Sequence, residues 1–241
     1  MAILHLDRLF KRYGAVVVAD GVDLTLERGE ALGVIGPNGA GKTTLFNLIA
    51  GTVAADSGTV WFADRDITTL PAAVRCRLGI SRSFQIPHPF AGMTVFENVL
   101  VGAAFGGRRK ERAAYDRSVE VLELAGLVGK ANALAGALTL LERKRLELAR
   151  ALATEPRLLL LDEIAGGLTE HECRDLVQTV RQIRATGITI VWIEHIVHAL
   201  LAVVDRLVVI DFGRKIAEGD PHTVIASPEV GEIYMGIAAD G

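Results

Sequence analysis

Gly36-Pro37-Asn38-Gly39-Ala40-Gly41-Lys42-Thr43 stands between a short, nearly continuous apolar run, Leu32 to Ile35, and a helical run, Thr44 to Ala50, that Gly51 ends. Few folds accommodate a buried strand that passes through so glycine-rich a turn and opens directly into a helix. The segment satisfies GxxxxGK[ST] in the strand, turn and helix context that gives the pattern meaning. Its glycines let consecutive backbone N–H groups turn inward around an anion, and the helix N-terminus adds the positive end of its dipole. Amide hydrogens from Gly36 to Thr44 are therefore expected to wrap a polyphosphate, with Lys42 reaching the β- and γ-phosphates and Thr43 offering its hydroxyl to Mg²⁺.

A second element suits the same chemistry. Leu158-Leu159-Leu160-Leu161-Asp162-Glu163 reads as a buried strand that delivers two carboxylates at its end. Alternation along a strand sends the two side chains in different directions, so they can take different tasks. Asp162 is expected in the Mg²⁺ shell and Glu163 beside the attacking water. Standing alone, such a pair could equally cap the next helix.

The other short apolar runs, Ile188 to Ile193 and Leu207 to Ile210, have the character of strands covered on both faces. Val22 to Glu27 instead alternates apolar and polar residues, as a half-buried antiparallel strand does, and Ile3 to Phe10 and Val16 to Val18 can pair beside it. Between about Arg75 and Arg150 the pattern turns helical, with a capping-box spacing at Thr94 to Glu97 and a sparse apolar stripe over Lys110 to Leu124. Ser227-Pro228-Glu229 opens a short terminal helix. The expected class is α/β: a mostly parallel core sheet, an antiparallel β subdomain and an inserted helical lobe. One domain spans residues 1–241, its core about 1–85 and 151–241 and its lobe about 86–150.

Composition narrows the function. The longest stretch without Asp, Glu, Lys or Arg runs from Ser83 to Phe96, 14 residues with two prolines, against roughly 20 apolar residues needed to span a bilayer. No signal-peptide pattern opens the chain, so a cytoplasmic protein is expected. A net charge of -3 supplies no electrostatic footprint for nucleic acid. Cys76 and Cys173 lie far apart and form no zinc spacing.

Beyond the phosphate loop and the acidic strand, further landmarks resemble the ABC transporter ATPases, a P-loop NTPase family, over nearly the whole chain. Gln85, in Ser81-Arg82-Ser83-Phe84-Gln85, looks like the family's Q-loop glutamine, which touches Mg²⁺ and water. His195, in Ile193-Glu194-His195, resembles the switch histidine that meets the γ-phosphate. Tyr13, 23 residues before Gly36, matches the aromatic that stacks on adenine. Arg143 to Leu152 agrees with the helix that follows the family signature, but Leu138-Thr139-Leu140-Leu141-Glu142 departs from Leu-Ser-Gly-Gly-Gln by replacing both glycines with leucine. Thr139 to Glu142 still reads as a capping box. Either Leu140 and Leu141 keep helical dihedrals and lean away from the nucleotide, or this half of the site is weakened. Thr169 occupies the D-loop position where the family commonly has Asp or Asn, and it could also serve simply as a helix N-cap with Glu172.

The resemblance implies ATP and Mg²⁺ as cofactors and a head-to-tail dimer with a second ABC ATPase subunit. It also implies two transmembrane permeases and, indirectly, a periplasmic solute-binding protein, so the chain would lie on the inner face of the cell membrane. The runs Gly79 to Gln85, Met93 to Val99 and Ile193 to His195 look like importers of branched-chain amino acids and related polar solutes. Phe90, Met93 and Phe96 are expected either to line a permease-docking groove or to fill the lobe's core. A lipopolysaccharide-export ATPase and a low-turnover regulatory subunit are the alternatives. A P-loop kinase or GTPase is disfavoured, since neither a guanine-specificity motif nor an acceptor site is visible.

Overall fold

The computed structural model describes residues 1–107 and 110–235, with the side chains of 233–235 left aside. The chain divides into two compact units, residues 1–72 with 190–241 and residues 73–189.

In the first unit, β1 (Ala2–Tyr13) pairs antiparallel with β2 (Val16–Glu27) and with β4 (Ser57–Phe62), and β5 (Arg65–Asp66) extends the sheet in the order β2-β1-β4-β5. The sequence divides Val16–Val18 from Val22–Glu27, yet they form one strand. Register irregularities absorb the interruption at Asp20-Gly21, with Arg8 at φ 44° and Gly21 at φ 66°. The Arg8 amide donates to Asp23 Oδ1 at 2.7 Å across this bulge, so the extra residue does not flip the alternation that buries Leu4, Leu6, Leu24 and Leu26. Beside this sheet, β3 (Ala31–Ile35) runs parallel to both β8 (Thr189–Ile193) and β9 (Arg206–Asp211), and β10 (Arg214–Gly219) returns antiparallel to β9. All five residues of β3 and of β8 are buried, as their unbroken apolar runs require. Helix α1 (Lys42–Ala50) follows β3 at once and ends at Gly51 in the left-handed conformation, whose amide bonds Asn47 O at 3.0 Å.

In the second unit, β6 (Ile80–Arg82) and β7 (Leu158–Asp162) form a parallel pair. Around it come α2 (Ala72–Leu78), α3 (Val95–Val101), α4 (Glu111–Leu124), α5 (Leu140–Ala153) and α6 (Glu170–Ala185). Helices α3, α5 and α6 each start on a reciprocal capping box, Thr94 with Glu97, Thr139 with Glu142 and Thr169 with Glu172. Val95, Val99, Val121, Leu122, Leu146 and Leu148 fill the helical core. The terminal helix covers Pro228–Met235, where Ser-Pro-Glu marks its start. Among the described residues no helix is long and apolar enough to cross a membrane, and both cysteines are free.

Candidate nucleotide site

Strands β3, β8 and β9 run in the same direction, so their C-terminal ends open at one edge of the first unit's sheet. Gly36, His195 and Phe212 leave the sheet there. Gly36 has φ 156°, and a Cβ on it would stand 2.0 Å from Ile210 O. Gly41 has φ 103°, and its Cβ would meet Val18 O at 2.2 Å. Only glycine fits either place, because backbone lies directly against the loop. The neighbouring hairpin braces the loop from outside, the Gly213 amide donating to Ala40 O at 2.9 Å and the Asp20 amide to Gly213 O at 2.8 Å.

Lys42 is the first residue of α1 and is buried, its ammonium donating to Gly36 O at 2.7 Å and Pro37 O at 2.9 Å. It is thereby folded back over the loop that it is expected to serve. No side chain caps α1, which leaves its N-terminal turn to an anion. Asn38, Gly39 and Thr43 are exposed and Pro37 and Thr44 half-buried around the loop. Tyr13 ends β1, half of its surface exposed, with the Lys11 ammonium 5.4 Å from its ring centroid. His195 is exposed two residues beyond β8, its amide donating to the carboxylate of the buried Glu194 at 3.1 Å.

The second unit gathers the other polar residues. Asp162 ends β7, and Glu163 follows at φ 46°, a left-handed conformation that an L side chain adopts at a cost. The Gln85 amide donates to Glu163 Oε2 at 2.5 Å. Arg82, at the end of β6, donates to Asp162 Oδ2, also at 2.5 Å. The structure thus joins Gln85 to Glu163 and Arg82 to Asp162, two contacts that the sequence reading does not state, and Arg82 is a residue to which that reading assigns no role. Its signal lies in register rather than spacing: Arg82 pairs with Leu160, and Leu160 and Asp162 share one face of β7.

A Mg²⁺ ion suits this donor set. Asp162 offers a buried carboxylate at the end of β7, and Mg²⁺ is usually held by one or two carboxylates together with waters and substrate phosphates rather than by an all-protein cage.

The altered signature keeps an intact helix start. Thr139 caps α5, accepting from the Glu142 amide at 3.3 Å, while Glu142 accepts from the Thr139 amide at 2.9 Å. This backbone hydrogen bond is the main reason that the Glu142 carboxyl is held below its ordinary value. Leu140 and Leu141 are ordinary residues of the helix. Leu140 is exposed, and its Cδ2 would touch a Cβ on Gly167 at 3.4 Å, so this side chain leans toward the glycine pair that follows Glu163. Arg143 ties down the approach to the helix through Leu138 O and Gly136 O, both at 2.9 Å.

Comparison with known proteins converges on one family. A family model described as ABC transporter matches residues 19–166. The probable branched-chain amino acid transport ATP-binding protein LivG of Methanocaldococcus jannaschii is 35% identical, with 98% of each chain covered. The high-affinity branched-chain amino acid transport ATP-binding protein LivG of Escherichia coli (strain K12) gives the same identity and coverage. Among solved structures, a nucleotide-free ATP-binding cassette from an ABC transporter matches with a TM-score of 0.91 at 34% identity, covering 98% of this chain and 100% of that one. An ADP conformation of such a cassette matches with a TM-score of 0.90, at the same identity and coverage.

Proposed function

The chain belongs to the ABC transporter family of ATP-hydrolysing subunits, and from that premise we propose that it energises import of branched-chain amino acids or related polar solutes through separate membrane permeases. Likeness to the two LivG proteins over nearly the full chain carries the substrate class. Residues 1–241 act as one cassette domain.

In this reading the Gly36–Thr44 backbone and Lys42 bind the triphosphate, Tyr13 stacks on adenine, and His195 meets the γ-phosphate. Glu163 orients and deprotonates the attacking water, and Gln85 holds the Glu163 carboxylate in place. Thr43, Asp162 and Gln85 are the residues that would hold Mg²⁺, which would neutralise charge on the phosphate oxygens. Phosphoryl transfer asks mainly for positioning and charge stabilisation, so closing two cassettes head to tail around ATP can gate it. Thr139 to Glu142 then present the positive end of α5 to the partner's nucleotide.

The permeases receive this chain at the second unit, which keeps it peripheral on the inner face of the membrane. Phe90 and Phe84 are half exposed there, Phe90 under the Arg150 guanidinium at 4.9 Å, while Phe96 packs on Tyr115 with ring centroids 5.2 Å apart.

Reconstitution with the permeases, a partner ATPase and the solute-binding protein tests the proposal: ATP-dependent leucine uptake into vesicles is expected, and Glu163→Gln removes it. Hydrolysis without uptake of any branched-chain amino acid sinks the substrate assignment. A complex that never hydrolyses ATP above the Glu163→Gln background favours instead the low-turnover reading, to which exposed Leu140 on the signature helix points.

A further inference from the structure

We infer that Arg82 is a positioning residue for Asp162 and makes metal binding at this carboxylate depend on nucleotide. The inference rests on the reading of Asp162 as part of the Mg²⁺ shell. Parallel pairing of β6 with β7 places Arg82 opposite Leu160, and the Ser83 amide fixes the register through Leu160 O at 2.9 Å. Arg82 and Asp162 therefore emerge on the same face, one step apart along the strand. Their side chains are 9% and 6% exposed, and the contact is a charge-assisted hydrogen bond of 2.5 Å. The guanidinium also lies over the Phe84 ring, its central carbon 5.2 Å from the centroid, so it is held from two sides.

A guanidinium cannot shed its proton to relieve crowding by another cation. A bare divalent ion approaching Asp162 meets a fixed positive charge in a poorly solvated place, where repulsion is strong. A divalent ion that arrives with a triphosphate brings net negative charge and meets no such barrier. Before it arrives, Arg82 keeps the buried carboxylate paired and aimed along the strand, and so avoids the cost of an isolated buried charge. Arg82 thus screens out free metal while leaving the metal–nucleotide complex its ligand.

The test uses Mn²⁺ as a paramagnetic probe of the metal alone, titrated into the full chain with and without ATP. In the parent, Mn²⁺ binding is expected to be weak until ATP is added. Arg82→Gln is expected to bind Mn²⁺ without nucleotide at least about tenfold more tightly than the parent, and adding Asp162→Asn to that variant is expected to abolish the gain. Arg82→Lys keeps the charge, should behave like the parent, and serves as the folded control if Arg82→Gln melts early. Equal nucleotide-free Mn²⁺ affinities in parent and Arg82→Gln, or a gain that survives Asp162→Asn, overturn the inference. With Arg82→Gln unfolded, nucleotide-free Mn²⁺ binding by the parent as tight as binding with ATP overturns it too. Binding of a fluorescent ATP analogue with Mg²⁺ is read on every variant: its absence from the parent would remove the nucleotide reading itself, a separate outcome.

Discussion

Glu163 sits with φ 46° and is nearly buried, so the fold holds an ordinary residue in a conformation that glycine takes more readily. Such strain is tolerated where the side chain's direction matters. Glu163→Gly is expected to leave stability unchanged or raise it by about 1 kcal/mol in urea unfolding while hydrolysis disappears. Glu163→Gln should lower the steady-state ATPase rate by about 10² to 10⁴, with ATP affinity retained in calorimetry. Loss of affinity in the Gln variant would place Glu163 in binding rather than in water activation. Lys42 makes a comparable case, since its ammonium caps Gly36 O and Pro37 O and exchange of these carbonyls for phosphate oxygens is the change that binding requires. Lys42→Ala is expected to weaken MgATP binding by about 10- to 100-fold, the worth of a hydrogen bond to a charged group. Undiminished affinity would refute the phosphate site.

At the scale of elements, three helices of the second unit begin on the same device. Hydrogen bonds from the Thr94, Thr139 and Thr169 amides hold the carboxyls of Glu97, Glu142 and Glu172 below their ordinary value of 4.5. A carboxyl whose pKa is lower folded than unfolded contributes stability that is present above the unfolded value and is lost as pH falls through the folded one. Acid below about pH 4.5 should therefore fray the starts of α3, α5 and α6. Replacing the three glutamates by Gln is expected to flatten the pH dependence of urea stability below that value, and an unchanged slope would show that the caps do not titrate with folding. Thr169→Ala should cost about 1 kcal/mol, measured in the same way. That helix start was legible as Thr-x-x-Glu, and so was the start of α5. The single strand from Val16 to Glu27 was not, because the bulge that carries it past Asp20-Gly21 depends on its pairing with β1.

For the molecule as a whole, the partner surface is the property that lies beyond one chain. Phe90→Glu is expected to preserve ATP binding and basal hydrolysis and to reduce coupled uptake several-fold, because it puts charge on an exposed aromatic outside the phosphate site. Retained uptake would count against docking there. Phe96 is the control: it is half-buried against Tyr115, and its substitution should show first as lowered thermal stability.

The phosphate loop, the acidic strand and three capping boxes were fixed by local rules: a glycine where backbone must approach backbone, unbroken apolar runs for covered strands, a hydroxyl three residues before a carboxylate. Each operates within a few residues, so the amino-acid order alone was enough to state them. Contacts across 80 residues, such as Arg82 with Asp162, or across 78, such as Gln85 with Glu163, came only with the tertiary structure. They depend on which strands lie side by side and in what register, and that choice is made by the burial of the whole core rather than by any short stretch of sequence.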